Sequence, residues 1–550
     1  MINFKEKPFY LEEEQIEWVE NTFKTLSRDE KIGQLFVPIG FSTDTNYLDT
    51  LLKHHIGGLF FRSGNFEEMK TTFSYAQSKS KIPLLTPANL EYGGNGAVIE
   101  GTAYATQMAV AATNDRGTAY KLGEISALEG KQIGVNWSFA PVVDLDLNFR
   151  NPITNVRTYG DDPYTVIDHA KEYTRAFHEQ GMMTAIKHFP GDGVDERDQH
   201  LLTSVNSLSV DAWRESFGCI YQEMIDYGTK AVMVGHIAFP AYSKSNLPAT
   251  LDQTLLQDLL RKELNFNGLV ITDASPMVGF TAAMRRSEAV PLCIENGCDM
   301  LLFNKDFEED IRYMKEGLRK GLLSEQRLNE AVYRILASKA SLNLFKASPK
   351  QKNSEKKDFS AAQEKIADQA ITLVKDEQNL LPIKIEKTRI LVETLGSFES
   401  NRFVEEIFVK ELILAGFEVE VYQKEENFYE LENIETFKTK YDVVIYVANI
   451  ENSSNQTTAR INWHTLFGLG NNLPWFVKEV PTMLVSVGNP YHYFDVPMIP
   501  TIINTYCNYE HFIKAVVAKI IGKSSFKGVS PIDPLCSNQK LKELMRDEDK

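Results

Sequence analysis

Between residues 187 and 200 the chain reads Lys187-His188-Phe189-Pro190-Gly191-Asp192-Gly193 and then, four residues on, Asp198-Gln199-His200. An apolar run from Met182 to Ile186 ends in two nitrogen-bearing side chains and a Pro-Gly turn, which predicts a strand delivering Lys187 and His188 to one end of a sheet. The polar loop behind it can bring Asp198 and His200 back over them. A carboxylate close to a histidine can orient the imidazole and stabilise its protonated form, which makes the ring a proton donor and acceptor near neutral pH. Asp273 ends another apolar run, Gly268-Leu269-Val270-Ile271-Thr272. On spacing alone it serves equally well as a cap for the next helix. A lone D-x-H, likewise, is ordinarily a solvated loop.

The elements that must position these groups alternate in type. Eight short β-rich runs are expected at Ile32–Val37, Gly57–Phe61, Pro83–Ala88, Trp137–Pro141, Met183–Lys187, Ala231–Gly235, Gly268–Thr272 and Met300–Phe303. Helical patterns such as Pro163–Gln180, Val210–Tyr227 and Leu251–Leu264 lie between them. Eight β-then-α units predict an α/β fold with an N-terminal (β/α)8 barrel of the TIM type over residues 1–345, whose chemistry sits at the carboxyl ends of the strands. Asn89, Glu91, Asp144, Lys187, His188, His236 and Asp273 all fall at such ends. A polar stretch at 346–360 reads as a linker. Residues 361–550 then predict a helix near Ala361–Ala370, strands near Arg389–Thr394, Glu418–Tyr422, Asp442–Val447, Thr482–Val487 and Thr501–Tyr506, and a helix near His511–Ile521. This is an αβ sandwich with a mostly parallel sheet.

The K-H-F-P-G-x-G…D-x-H pattern resembles the signature of glycoside hydrolase family 3, in its two-domain bacterial β-N-acetylglucosaminidase branch. The resemblance implies Asp273 as nucleophile, from its V-[ST]-D context at the seventh strand. It implies His200 as acid/base, with Asp198 orienting it. A retaining glycosidase requires such a carboxylate near its proton donor, so that a glycosyl-enzyme can form and be resolved. Lys187, His188, Arg157, Asn89 and Glu91 are implied as sugar ligands and Asp144 as a support. Arg157 lies in Asn155-Val156-Arg157-Thr158-Tyr159-Gly160-Asp161-Asp162-Pro163, similar to the family's N-x-R-x-[FY]-G-x-D-P; a surface arginine paired with Asp161 or Asp162 is the alternative. Two positions depart from the pattern. Asp192 stands where the family usually has histidine, and Asn89 where an aspartate usually binds the far hydroxyls.

Apolar content of 43%, charged content of 24% and a formal net charge of −16, without a basic stripe, argue against a nucleic-acid partner. The cysteines, Cys219, Cys293, Cys298, Cys507 and Cys536, are few, odd in number and lack metal-ligand spacing, which fits a reducing compartment. No apolar segment predicts a signal peptide or a membrane span, so a cytoplasmic protein is expected. The expected function is exo-acting hydrolysis of terminal β-linked N-acetylglucosamine from peptidoglycan fragments or chitooligosaccharides, with no metal and no cofactor. The alternatives are a phosphorylase using inorganic phosphate as acceptor, and an inactive sugar-binding protein on the same fold.

Overall fold

The computed structural model describes residues 2–346, 357–384, 388–396, 398–422, 433–450, 452–463, 465–466, 469–470 and 472–535. Most of the expected linker, at 347–356, lies outside the described residues, as does Cys536. The chain forms two compact units that are not contiguous in sequence. One comprises Met1–Tyr104, Ala119–Asp146 and Asp162–Asp358; the other comprises Ala105–Thr118, Leu147–Asp161 and Phe359–Lys550.

In the first unit eight parallel segments close a ring. Phe36–Val37 pairs with Leu301–Leu302 on one side and, through a bridge at Ile39, with Phe60 on the other. Gly58 bridges to Leu85, Pro87–Ala88 pairs with Trp137–Ser138, and that strand pairs with Met183–Phe189. The ring continues through Ala231–Val234 and Leu269–Thr272, and Ile271 bridges back to Met300. All seven residues of Met183–Phe189 are buried, as a strand enclosed on both faces requires. Outer helices are punctuated locally. The helix Pro163–Glu179 starts with Pro163 in its first turn, and the Asp162 side chain accepts from the Thr165 N–H. It turns Val166, Ala170, Tyr173 and Phe177 inward.

One expectation fails at the start of the ring. Ile32, Gly33 and Gln34 are not strand but the end of a helix, Arg28–Gln34. Ser27 and Glu30 form a reciprocal capping box at its head, and this local signal outweighs the apolar run. Only Phe36–Val37 remains extended.

Charge at the amino-terminal end of the ring is structural. Asp299, just before Leu301–Leu302, is fully buried and receives the guanidinium groups of Arg261 and Arg327 at 2.7 and 2.6 Å, with Arg334 at 3.5 Å. Removing Asp299 would leave buried cations without a counter-charge, at a cost of roughly 3–5 kcal/mol.

The second unit is built on a six-stranded sheet in the order Thr372–Asp376, Thr501–Asn504, Thr482–Ser486, Val443–Asn449, Arg389–Gly396, Glu418–Val421. Five strands are parallel and match the expected runs. The sixth, Thr372–Asp376, is an antiparallel edge strand absent from the sequence expectation. Its apolar run is short and, beyond Thr372, it is only half-buried, so alternation carries little signal. Leu391, Val444, Tyr446, Leu484 and Ile502 fill one face of the sheet. Tyr441 packs with them and Tyr493 lies against them.

Candidate active site

The carboxyl ends of the first unit's strands carry a set of interlocked ion pairs. Lys187, near the end of Met183–Phe189, places Nζ 2.6 Å from Glu91 Oε1, with both side chains buried. Glu91 lies on the loop after Pro87–Ala88. That loop folds back so closely that a Cβ on Gly96 would stand 1.7 Å from the Asn89 carbonyl oxygen, so only glycine fits there. The side chain of Asn89 itself is exposed.

His188 lies between two carboxylates. Its Nδ1 is 2.6 Å from Asp144 Oδ2, and its Nε2 is 3.9 Å from Asp273 Oδ2. Asp144 is completely buried, and its Oδ1 accepts the backbone N–H groups of His188 (3.0 Å) and Asp192 (2.8 Å). A carboxylate on Nδ1 fixes the ring plane and leaves the other nitrogen facing Asp273. Asp273 continues from Leu269–Thr272, its N–H donating to the Val234 carbonyl and its Oδ1 accepting the Ala274 N–H at 2.7 Å. Burial pushes its pKa up, but the neighbouring imidazoles, His188 foremost, more than offset this and hold it below the ordinary aspartate value. The carboxylate is therefore ionised at neutral pH, the state a nucleophile needs.

The Asp198-Gln199-His200 loop carries the second group. Asp198 is buried, and its Oδ1 accepts both the His200 backbone N–H (2.8 Å) and the His200 Nδ1–H (2.7 Å). The His200 side chain is 20% exposed, and Nδ1 is the ring nitrogen engaged by Asp198. The loop is pinned to the segment after Asp273, because Val278 N donates to the His200 carbonyl and Gly279 N to that of Gln199. Asp192, the departure from the family pattern, braces this loop through its carboxylate, which accepts from Gly193 N at 2.7 Å and from Gln199 Nε2 at 3.2 Å. Gln199 is the residue that sequence reasoning passed over. Nothing but its place between Asp198 and His200 marks it.

Arg157 is grouped with the second unit, where it is half-buried and its Nη1 donates to the Ile153 carbonyl at 3.1 Å. Among the described residues no group of three or more His, Cys, Asp or Glu is placed to hold a metal ion, and no helix is long and apolar enough to cross a membrane.

A buried, ionised carboxylate beside imidazoles, with a carboxylate-oriented histidine on an adjoining loop, can perform nucleophilic and proton-transfer chemistry at one carbon centre. Comparison with known proteins gives that arrangement a lineage. Residues 27–338 match the glycosyl hydrolase family 3 N-terminal domain. The chain is 42% identical over 559 aligned positions to a β-N-acetylglucosaminidase/β-glucosidase of Cellulomonas fimi, covering 98% of this chain and 99% of that protein. Among solved structures it resembles the β-glucoside phosphorylase BglX bound to 2FGlc, at 41% identity and a TM-score of 0.89, covering 97% of this chain and 99% of the other. A family 3 β-N-acetylglucosaminidase from Paenibacillus sp. str. FPU-7 shares the fold at 23% identity and a TM-score of 0.79, covering 93% of this chain and 100% of that one. The chain belongs to glycosyl hydrolase family 3.

Proposed function

We propose that this enzyme is a retaining, exo-acting β-glycosidase that takes terminal β-linked N-acetylglucosamine or glucose and passes it preferentially to inorganic phosphate. The observation that carries the reading is the nature of the proton donor: an imidazole, His200, held by Asp198 at 2.7 Å.

In the first step Asp273 attacks the anomeric carbon. The bond to the leaving oxygen breaks as His200 Nε2 delivers its proton to that oxygen, leaving a covalent glycosyl-enzyme and a neutral imidazole. In the second step an acceptor oxygen attacks the same carbon and Asp273 departs, so the configuration is retained. A carboxylate in the place of His200 would be anionic at this stage and would repel a phosphate dianion in a partly desolvated site. A neutral imidazole imposes no such penalty. Lys187 and His188, on the strand between Asp144 and Asp273, suit hydrogen bonding to sugar hydroxyls.

The near full-length likeness to a β-glucoside phosphorylase supports the phosphate reading, and the Cellulomonas fimi relative supports the two sugars. Hydrolysis is the second reading, in which His200 takes a proton from water instead; the glycosidase name of that relative favours it. Phosphate as acceptor would also fit a cytoplasmic location, where it is abundant.

The test is product analysis by phosphorus NMR, with nitrophenyl β-N-acetylglucosaminide and β-glucoside as donors at rising phosphate. The expected product is a sugar 1-phosphate of β configuration, in a yield that grows with phosphate. Free sugar alone, at an unchanged rate, would overturn phosphate as acceptor and leave the hydrolytic reading.

A further inference from the structure

Nothing in the sequence marks His236 except its place after the strand Ala231–Val234. The structure gives it connections to both halves of the chemistry. Its side chain is fully buried. Nε2 lies 3.0 Å from the Ala274 carbonyl oxygen, and Nδ1 lies 3.0 Å from Thr250 Oγ1. A carbonyl oxygen can only accept, so Nε2 carries the proton and Nδ1 accepts from the threonine hydroxyl. The backbone N–H of His236 donates to Gln199 Oε1 at 2.7 Å. Gln199, itself buried, donates from Nε2 to Asp192, whose N–H is held by Asp144.

We propose that His236 and Gln199 are positioning residues that lock the nucleophile and the acid/base into one frame. The path runs from Asp273 through the Ala274 carbonyl to the His236 ring, through the His236 main chain to the Gln199 amide, and from there directly to Asp198 and His200. The frame is tightly packed: a Cβ on Gly279 would stand 2.6 Å from the Gln199 carbonyl oxygen and 2.9 Å from His236 Cβ. Burial lowers the pKa of His236 to about 4, so the ring stays neutral and its tautomer does not change during turnover. The ring therefore supplies a fixed hydrogen bond and takes no proton from the reaction. A misplacement of about 1 Å between reacting groups costs on the order of 10²-fold in rate, which is why such a frame matters.

The inference rests on the roles proposed above for Asp273 and His200, and the experiment separates the two. Aryl β-glycosides with a good leaving group (dinitrophenyl) and a poor one (phenyl) are assayed with five variants. Gln199→Met cuts the acid/base loop from His236 and Asp192 while the contact between His236 and the Ala274 carbonyl stays. It should lose roughly 10- to 100-fold on the phenyl glycoside and little on the dinitrophenyl one, because only the poor leaving group needs a proton. His236→Asn, too short to reach the Ala274 carbonyl, should lose roughly 10- to 100-fold in kcat on both substrates, since it also frees the nucleophile segment. His236→Gln places an amide N–H where Nε2 stands and should remain within about threefold of the parent. Both variants keep an amide, but asparagine reaches only the Nδ1 position beside Thr250 and glutamine the Nε2 position beside the Ala274 carbonyl, so the pair separates the two contacts. If one of them fails to fold, Gln199→Met still decides.

Equal rates for His236→Asn and His236→Gln, or a Gln199→Met loss that ignores the leaving group, would overturn the frame. Asp273→Ala and His200→Ala serve as the outer reference. If they retain activity, the proposed function falls first. If they lose it as assigned while His236→Asn and Gln199→Met match the parent, only the frame falls.

Discussion

Replacing Asp198 by asparagine perturbs one charge and almost no volume. Both of the contacts from His200 converge on a single oxygen, Oδ1, at 2.8 Å from the backbone nitrogen and 2.7 Å from Nδ1. An asparagine can keep its carbonyl oxygen at that point, so the ring retains an acceptor and its tautomer. What disappears is the charge-assisted part of the bond, which matters when the ring becomes imidazolium. Hydrogen bonds to charged groups are worth about 1.5–3 kcal/mol and neutral ones about 0.5–1.5, so about 1–1.5 kcal/mol disappears, which converts to a loss of roughly 5- to 13-fold in the proton-dependent step. The assay is kcat/KM across aryl β-glycosides from dinitrophenyl to unsubstituted phenyl, followed by the leaving aryl alcohol. The loss should concentrate on the phenyl end, steepening the dependence of rate on leaving-group acidity. A loss of the same size on every leaving group, or none at all, refutes the claim that Asp198 acts through the His200 proton.

Three further outcomes are expected. Asp273→Ala should lose several orders of magnitude with every leaving group, since the covalent step has no substitute, and a fluorosugar should label the peptide that contains Asp273; label on Glu91 or Asp144 instead would reassign the nucleophile. Asp144→Ala would strand the His188 and Asp192 backbone N–H groups and the His188 ring N–H, at about 1–3 kcal/mol each, so a thermal melt should show a large drop in Tm, and an unchanged Tm would refute the account. Burial lowers the pKa of His178 to about 4 from its ordinary 6.5. The unfolded chain then takes up a proton at a higher pH than the folded one. Stability from this group is full above pH 6.5, falls as the pH drops towards 4 and levels off below, a change of about 3 kcal/mol. Denaturant titrations at neutral and acid pH should show a shallower acid decline in His178→Phe, and a slope equal to the parent's would refute the burial argument.

The sequence by itself determined the eightfold alternation and the strand ends on which Lys187, His188, Asp144 and Asp273 sit. These are local properties: apolar runs set the strands, and the chain order sets which residue follows each one. The D-x-H spacing likewise put Asp198 beside His200, because two residues along a loop is within reach of one carboxylate. Where a stronger local signal competed, the reading failed. The Ser27–Glu30 capping box turned Ile32–Gln34 into helix.

Only the tertiary structure decided which charges meet. Glu91 with Lys187, Asp144 with His188, and His236 with both Ala274 and Gln199 are separated by tens of residues, and no spacing encodes such partners. The antiparallel return of Thr372–Asp376 and the grouping of Arg157 with the second unit are of the same kind. Closing the ring brings strand ends that are distant in sequence to one rim. Burial there removes the water that would otherwise satisfy each charge, so Lys187, His188 and Asp144 are held by partners from other strand ends.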